Sequence, residues 1–265
     1  MNKKIYLISA LLLLTLSYCS KVPITGRKQL NMVPDNLLLG MSLTNYKEYL
    51  TKNPPVASSD ASTQLVKRTG TNISGAVENY LKNNGMSKRI SDFKWEFNLI
   101  NNSEVNAWCM PGGKVAVYTG ILPYTSDETG LAVVLGHEIA HAVARHGNER
   151  MSQQLIAVAG GISLAVAIND KPELTKNIFL TCYNVGSSLG ILAYSRMHEY
   201  EADKLGLLFM AMAGYDPNKA VNFWEKMSSK SGAKVPEFLS THPSDANRIK
   251  AMRDFMPEAM KHYKK

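Results

Sequence analysis

No stretch of the chain restricts its architecture as tightly as Leu135-Gly136-His137-Glu138-Ile139-Ala140-His141-Ala142-Val143, two imidazoles and a carboxylate set in an otherwise uncharged run. On an α-helix, positions four apart lie about 40° apart in azimuth and about 6 Å along the axis, so His137 and His141 aim at one point. Imidazole holds zinc at roughly 2.0–2.1 Å, and the pair makes His137 and His141 the candidate metal ligands for one zinc ion per chain. Glu138 lies on the flank of the same face. It is the candidate general base, beside a water whose pKa the metal lowers to about 7. The competing reading is a solvated helix whose His and Glu share a face by chance. Val134, Leu135, Ile139, Ala140, Ala142 and Val143 oppose it, because an uncharged and mostly apolar surround suits a buried helix.

Two histidines leave zinc underligated, so a third protein ligand has to come from elsewhere in the chain. His146 follows His137 by nine residues, about 180° round a continuous helix, and is expected to face away. The spacing HExxHxxGxxH also fails, since Ala144 and Gly147 stand where Gly and His are required. A carboxylate remains, and Ser195-Arg196-Met197-His198-Glu199-Tyr200-Glu201-Ala202-Asp203 is the segment to supply it. Glu199 and Asp203 share a helix face, so one can bind metal while the other orients a ligand imidazole. Glu201 is about 200° from Glu199 on such a helix, and spacing alone leaves the choice between them open.

Around this core the chain reads as α+β and mostly helical, with a small antiparallel sheet directly before the metal helix. Helices are expected over 35–50, 61–82, about 127–150, 198–213, 217–229 and 244–256. Leu65, Ile73, Val77 and Leu81 form the apolar stripe of the second. Strands are expected over 93–100, 105–110 and 114–119, with Pro111-Gly112-Gly113 as a turn. The apolar runs 155–168 and 178–194 are read as buried helices flanking the site, against a membrane-dipping pair. The 265 residues are divided into a leader at 1–19, an extended segment, helix and linker at 20–60, and a catalytic domain at 61–265.

Met1-Asn2-Lys3-Lys4 followed by an apolar run from Ile5 to Leu16 reads as a secretory signal. Leu16-Ser17-Tyr18-Cys19 is similar to a lipobox, which marks Cys19 for lipidation and the mature chain for a lipid anchor at a membrane; Tyr18 is bulkier than the usual residue there. The formal charge of +8 is modest for this length and comes with no nucleic-acid motif, so no nucleic-acid partner is expected. Cys109 and Cys182 have no metal-site spacing. They are buried thiols or, in an oxidising compartment, a pair.

HEIAHAVARHG, followed 58 residues after its second histidine by Glu-Tyr-Glu-Ala-Asp, resembles the gluzincin peptidases of family M48. Pro23-Ile24-Thr25-Gly26-Arg27, Asn106-Ala107-Trp108, Pro111-Gly112-Gly113, Thr241-His242-Pro243 and Arg248-Ile249 fit the same family, most closely its bacterial lipoprotein branch. The resemblance implies a zincin-like metalloprotease fold and a zinc-dependent endopeptidase with His137, His141 and Glu199 as metal ligands. Asp203 would orient a ligand imidazole. His242 would approach the metal from a loop, blocking the open position or stabilising the oxyanion, and Arg248 would stand near the reacting groups. The strand from Asn106, Ala107 and Trp108 to Met110 would be the edge along which a peptide adds. Substrates would be unfolded or misassembled envelope proteins on the periplasmic side of the bacterial envelope, with a lipid anchor in the outer membrane. A chaperone or assembly factor with gated proteolysis is the alternative.

Overall fold

The computed structural model describes residues 19–159, 172–183, 194–229, 236–243 and 246–263. An antiparallel hairpin of β1 (Cys19–Lys21) and β2 (Lys28–Leu30) leads into helix α1 (Asp35–Lys52) and helix α2 (Ala61–Asn83). The Asp60 carboxylate caps α2 by accepting from the Ser62 and Thr63 amides. The stripe that α2 buries is Val66, Ile73, Val77 and Leu81, each fully shielded, while Leu65 is only partly covered. The expected stripe was therefore one residue out at its first position.

Three strands follow, β3 (Glu96–Ile100), β4 (Ala107–Met110) and β5 (Lys114–Tyr118), in the order β3-β5-β4. The hairpin β4–β5 is antiparallel, as expected, and β3 adds to the far side of β5 in parallel. Both faces of this sheet are covered. Ala107, Cys109, Val115 and Val117 join the core formed with α2 and the helix that carries His137 and His141, while Trp108, Met110, Ala116 and Tyr118 pack with Tyr46 of α1. With side chains alternating along a strand, two buried faces explain why β4 and β5 are apolar at nearly every position.

After a short helix α3 (Leu122–Thr125), helix α4 (Glu128–Ala144) carries the HExxH residues, and every residue from Gly130 to Ala144 is buried. Asp127 is its cap, accepting from the Gly130 amide. The helix does not run on to Arg150. Arg145 adopts a left-handed conformation at φ 59°, its amide bonds back to the carbonyls of Ala142 and His141, and helix α5 (His146–Ala159) starts in a new direction. The last carbonyls of α4 are taken by side chains, Val143 by Arg89 Nε at 2.6 Å and Ala144 by Gln29 Nε2 at 2.7 Å.

Helices α6 (Pro172–Cys182), α7 (Arg196–Met212), α8 (Asn218–Ser229), α9 (Glu237–Thr241) and α10 (Ala246–Met260) complete the described chain. The anticipated helices over 155–168 and 178–194 lie mostly outside the described residues; where α6 is seen, it starts at Pro172, ahead of the apolar run. No described helix is long and apolar enough to cross a membrane. Helix α7 crosses α4 where Gly206 meets Gly136. A Cβ on Gly206 would lie 3.1 Å from the His137 amide nitrogen, and one on Gly136 would lie 3.1 Å from the Gly206 carbonyl oxygen. Two glycines at the crossing bring the backbones close enough for side chains of both helices to share one centre.

Candidate metal centre

Helix α4 supplies His137, Glu138 and His141, helix α7 supplies Glu199 and Asp203, and the residue that ends α9 is His242. All six are buried. His137 Nε2 lies 3.0 Å from His141 Nε2 and 3.2 Å from His242 Nδ1. The Glu199 carboxylate lies 3.4 Å from His137 Nε2, 3.3 Å from His141 Nε2 and 3.0 Å from His242 Nδ1. One donor atom from each of His137, His141, Glu199 and His242 falls within 4.8 Å of all the others.

This donor set fits zinc on chemical grounds. Four ligands at about 2.0–2.1 Å in a tetrahedron stand about 3.3–3.4 Å apart; the contacts made by His137 Nε2 and by the two Glu199 oxygens lie at 3.0–3.4 Å, and the four-residue set as a whole falls within 4.8 Å. Three imidazole nitrogens converging with a carboxylate in a buried pocket are borderline-soft donors of the kind zinc takes. Charge points the same way. Burial opposes ionisation of Glu199, but His242, Arg248 and His137 hold its carboxyl well below the usual carboxylate range. Asp203 is held low in the same manner, by Arg248 and His137 against burial. Burial works against a charged His137, yet Glu199 and Asp203 outweigh it and raise the imidazole to about 9, so the pocket draws positive charge to this spot.

Asp203 Oδ1 stands 3.1 Å from His137 Nδ1, on the far side of the ring from the donor cluster. With a metal bound, a proton kept on Nδ1 would leave the Nε2 lone pair pointing inward. Arg248 lies behind both acids. Its Nε and Nη2 form a fork on Asp203 at 2.8 and 2.6 Å, its Nη1 reaches Glu199 at 2.7 Å, and it also donates to the carbonyls of His242 and Pro243. Glu138 Oε1 is 3.2 Å from His242 Nε2, and burial pushes the Glu138 carboxyl up to about 8. Cys109 and Cys182 are free and buried.

The structure thus gathers Glu138, Glu199, Asp203, His242 and Arg248 around the two helix histidines. Glu201 points away from the cluster, as its azimuth requires. His146 does not face away: with α4 broken at Arg145, its Nδ1 comes within 2.9 Å of His141 Nδ1. The error lay in treating the helix as continuous through a residue whose left-handed backbone no glycine announced. Tyr194, which sequence reasoning passed over, stacks on His242 at 5.2 Å and tilts over His141 at 3.9 Å, with the Arg150 guanidinium 3.9 Å from its ring. It comes from a loop, so no periodicity marks it. Asn106, Ala107 and Trp108 lie at the start of β4, the edge strand, where Asn106 Nδ2 is 3.4 Å from Glu237 Oε1 and the Phe238 amide donates to Val105.

Comparison with known proteins agrees with this geometry. The chain is 37% identical over 240 residues to the mitochondrial metalloendopeptidase OMA1 of Schizosaccharomyces pombe, covering 90% of this chain and 66% of that protein. It is 32% identical over 250 residues to the human metalloendopeptidase OMA1, covering 90% and 46%. Over 169 residues it is 31% identical to the beta-barrel assembly-enhancing protease of Escherichia coli, covering 60% and 34%. The chain therefore spans about two thirds or less of the length of these relatives. The model of peptidase family M48 matches residues 68–256, a segment that contains Glu138 and every donor of the cluster, and the chain belongs to that metalloendopeptidase family.

Proposed function

We propose that this chain is a zinc endopeptidase that cleaves unfolded or misassembled proteins of the bacterial envelope, tethered to a membrane through lipid on Cys19. The observation that carries the reading is the placement of Glu138 beside three imidazole nitrogens and the Glu199 carboxylate. His137, His141 and Glu199 would hold zinc, which supplies Lewis acidity toward a peptide carbonyl and lowers the pKa of water to about 7. Glu138 then takes the proton of the attacking water and delivers it to the departing amine nitrogen. Its carboxyl, pushed up to about 8 by burial, falls as a cation enters the pocket, which brings it toward the range of a working base. Asp203 and Arg248 fix His137 and Glu199 in the geometry this requires.

An extended substrate would pair along β4, whose outer edge is free of a further strand among the described residues. The name of the Escherichia coli relative, a protease that enhances β-barrel assembly, supports an envelope client for this chain. The Glu138→Gln variant should keep its zinc and lose cleavage of an unfolded protein such as casein. Cleavage at the wild-type rate would remove Glu138 from the mechanism.

A second reading, an assembly factor with gated proteolysis, is favoured by His242. Its Nδ1 stands among the metal donors and its Nε2 faces Glu138, so it occupies ground that water and substrate need. The segment that carries it also covers the start of β4 through Glu237 and Phe238. One displacement of that segment would open both the centre and the strand edge. His242→Ala should then speed cleavage of unfolded protein. An unchanged rate argues against gating by this residue. Rescue of a client by the Glu138→Gln form would favour the assembly role.

A further inference from the structure

The far nitrogen of His137 stands 3.1 Å from a carboxylate oxygen of Asp203, itself forked by Arg248. We infer that His141 has a counterpart one residue longer, in which His146, Glu201 and Arg27 act as positioning residues that fix the imidazole of His141 for the metal. The inference rests on the reading of His137, His141 and Glu199 as zinc ligands.

The chain of contacts is short and buried. His141 Nδ1 lies 2.9 Å from His146 Nδ1, and His146 Nε2 lies 2.9 Å from Glu201 Oε2. His146 is fully shielded and the Glu201 side chain is 6% exposed. Arg27 Nε donates to the same Glu201 oxygen at 2.7 Å, and Thr25 donates its hydroxyl to the other. The remaining nitrogens of Arg27 fork onto Glu149 at 3.1 and 2.8 Å, and Glu149 also meets His198 Nε2 at 3.0 Å.

Proton bookkeeping along this line has one self-consistent solution. To offer a lone pair from Nε2, His141 must carry its proton on Nδ1, and the atom facing that proton is His146 Nδ1. A ring nitrogen that accepts carries no proton, so His146 holds its own on Nε2. That atom faces Glu201 Oε2, a carboxylate oxygen that also accepts from Arg27 Nε. Each position finds the partner it needs. An imidazole between ligand and carboxylate does what a carboxylate alone does for His137. Arg27 stands in the turn between β1 and β2, the hairpin of which Cys19 is the first residue.

The test compares zinc affinity, by competition with a chromophoric chelator, in the full chain and in His146→Leu, His146→Gln and Arg27→Met. Gln presents an amide oxygen to His141 and an amide N–H to Glu201, whereas Leu fills similar space and does neither. His146→Leu should bind zinc about 10- to 100-fold more weakly than wild type, the usual effect of losing a ligand's hydrogen-bond partner. His146→Gln should recover most of that loss, and Arg27→Met should fall between the two. Equal affinity in the Leu variant and wild type, or equal weakness in folded Leu and Gln variants, overturns the inference. If the Leu variant does not fold, nitrogen-15 chemical shifts of His141 in the wild type decide: protonation on Nδ1 supports the relay and protonation on Nε2 ends it. Failure of the wild type itself to bind zinc would instead contradict the underlying metal reading.

Discussion

Arg248→Met removes one charge from the interior while keeping an unbranched apolar stem, shorter than arginine, beside Trp224, over which the guanidinium sits at 4.3 Å. Three charge-assisted contacts disappear, two to Asp203 at 2.6 and 2.8 Å and one to Glu199 at 2.7 Å. Both acids are at most 2% exposed as side chains, so neither regains water. Leaving a buried partner uncompensated costs about 3–5 kcal/mol, more than the hydrogen bonds alone, because the desolvation of the carboxylates stays while their counter-charge goes. At about 2–4 °C per kcal/mol for a chain of this size, thermal unfolding followed by circular dichroism should shift down by about 6–20 °C. Arg248→Lys, which meets one carboxylate as a point charge and cannot fork, should lie between. A Met variant within about 1 kcal/mol of wild type would refute the argument, since it would mean that Arg248 does not balance the two acids.

Gly206→Ala places a Cβ 3.1 Å from the His137 amide nitrogen and 3.2 Å from the Gly136 carbonyl carbon, backbone atoms that cannot swing aside. It should cost about 1–3 kcal/mol and weaken zinc binding as well, because the proposed ligands come from both helices; a variant with wild-type melting and affinity would contradict the close-crossing account. Acid should unfold the protein partly through Glu149 and Glu201. Burial opposes their ionisation, but His198 and Arg27 bring Glu149 to about 2, and His146, Thr25 and Arg27 bring Glu201 to about 2. A folded pKa depressed below the ordinary 4.5 gives stability that is complete above pH 4.5 and lost as the pH falls toward 2. Arg27→Met should raise the acid midpoint in a circular-dichroism titration, and an unmoved midpoint would deny these pairs their role. Chelation should lower the melting temperature and zinc should restore it, since a ligand that binds only the folded state stabilises by mass action; no response to either would exclude a metal at this centre.

The helix pair of the candidate metal site is legible in the sequence because the proposed chemistry obeys helical spacing: His137 with His141, and Glu199 with Asp203, are both four apart. Elements with strong periodicity, such as α2, were placed within a residue or two. What escaped depends on backbone and long-range geometry that leave little mark on local pattern. Arg145 turns left-handed without being glycine, and that single residue carries His146 from the expected outward face onto His141. The parallel addition of β3 to β5 requires a crossover that strand patterning does not encode. Arg27 meets Glu149 across 122 residues of sequence, and Tyr194 reaches His141 from a loop. Such contacts are fixed by packing of the whole chain.

The central claim is that one zinc ion held by His137, His141 and Glu199 makes this chain a peptidase. Its most direct test is to strip the protein with chelator, add zinc back in measured steps and follow digestion of an unfolded protein at each step. The account predicts no digestion at the start and a rise that saturates at one zinc per chain. Full digestion by the stripped protein, or none after saturation with zinc in both the wild type and His242→Ala, would contradict it.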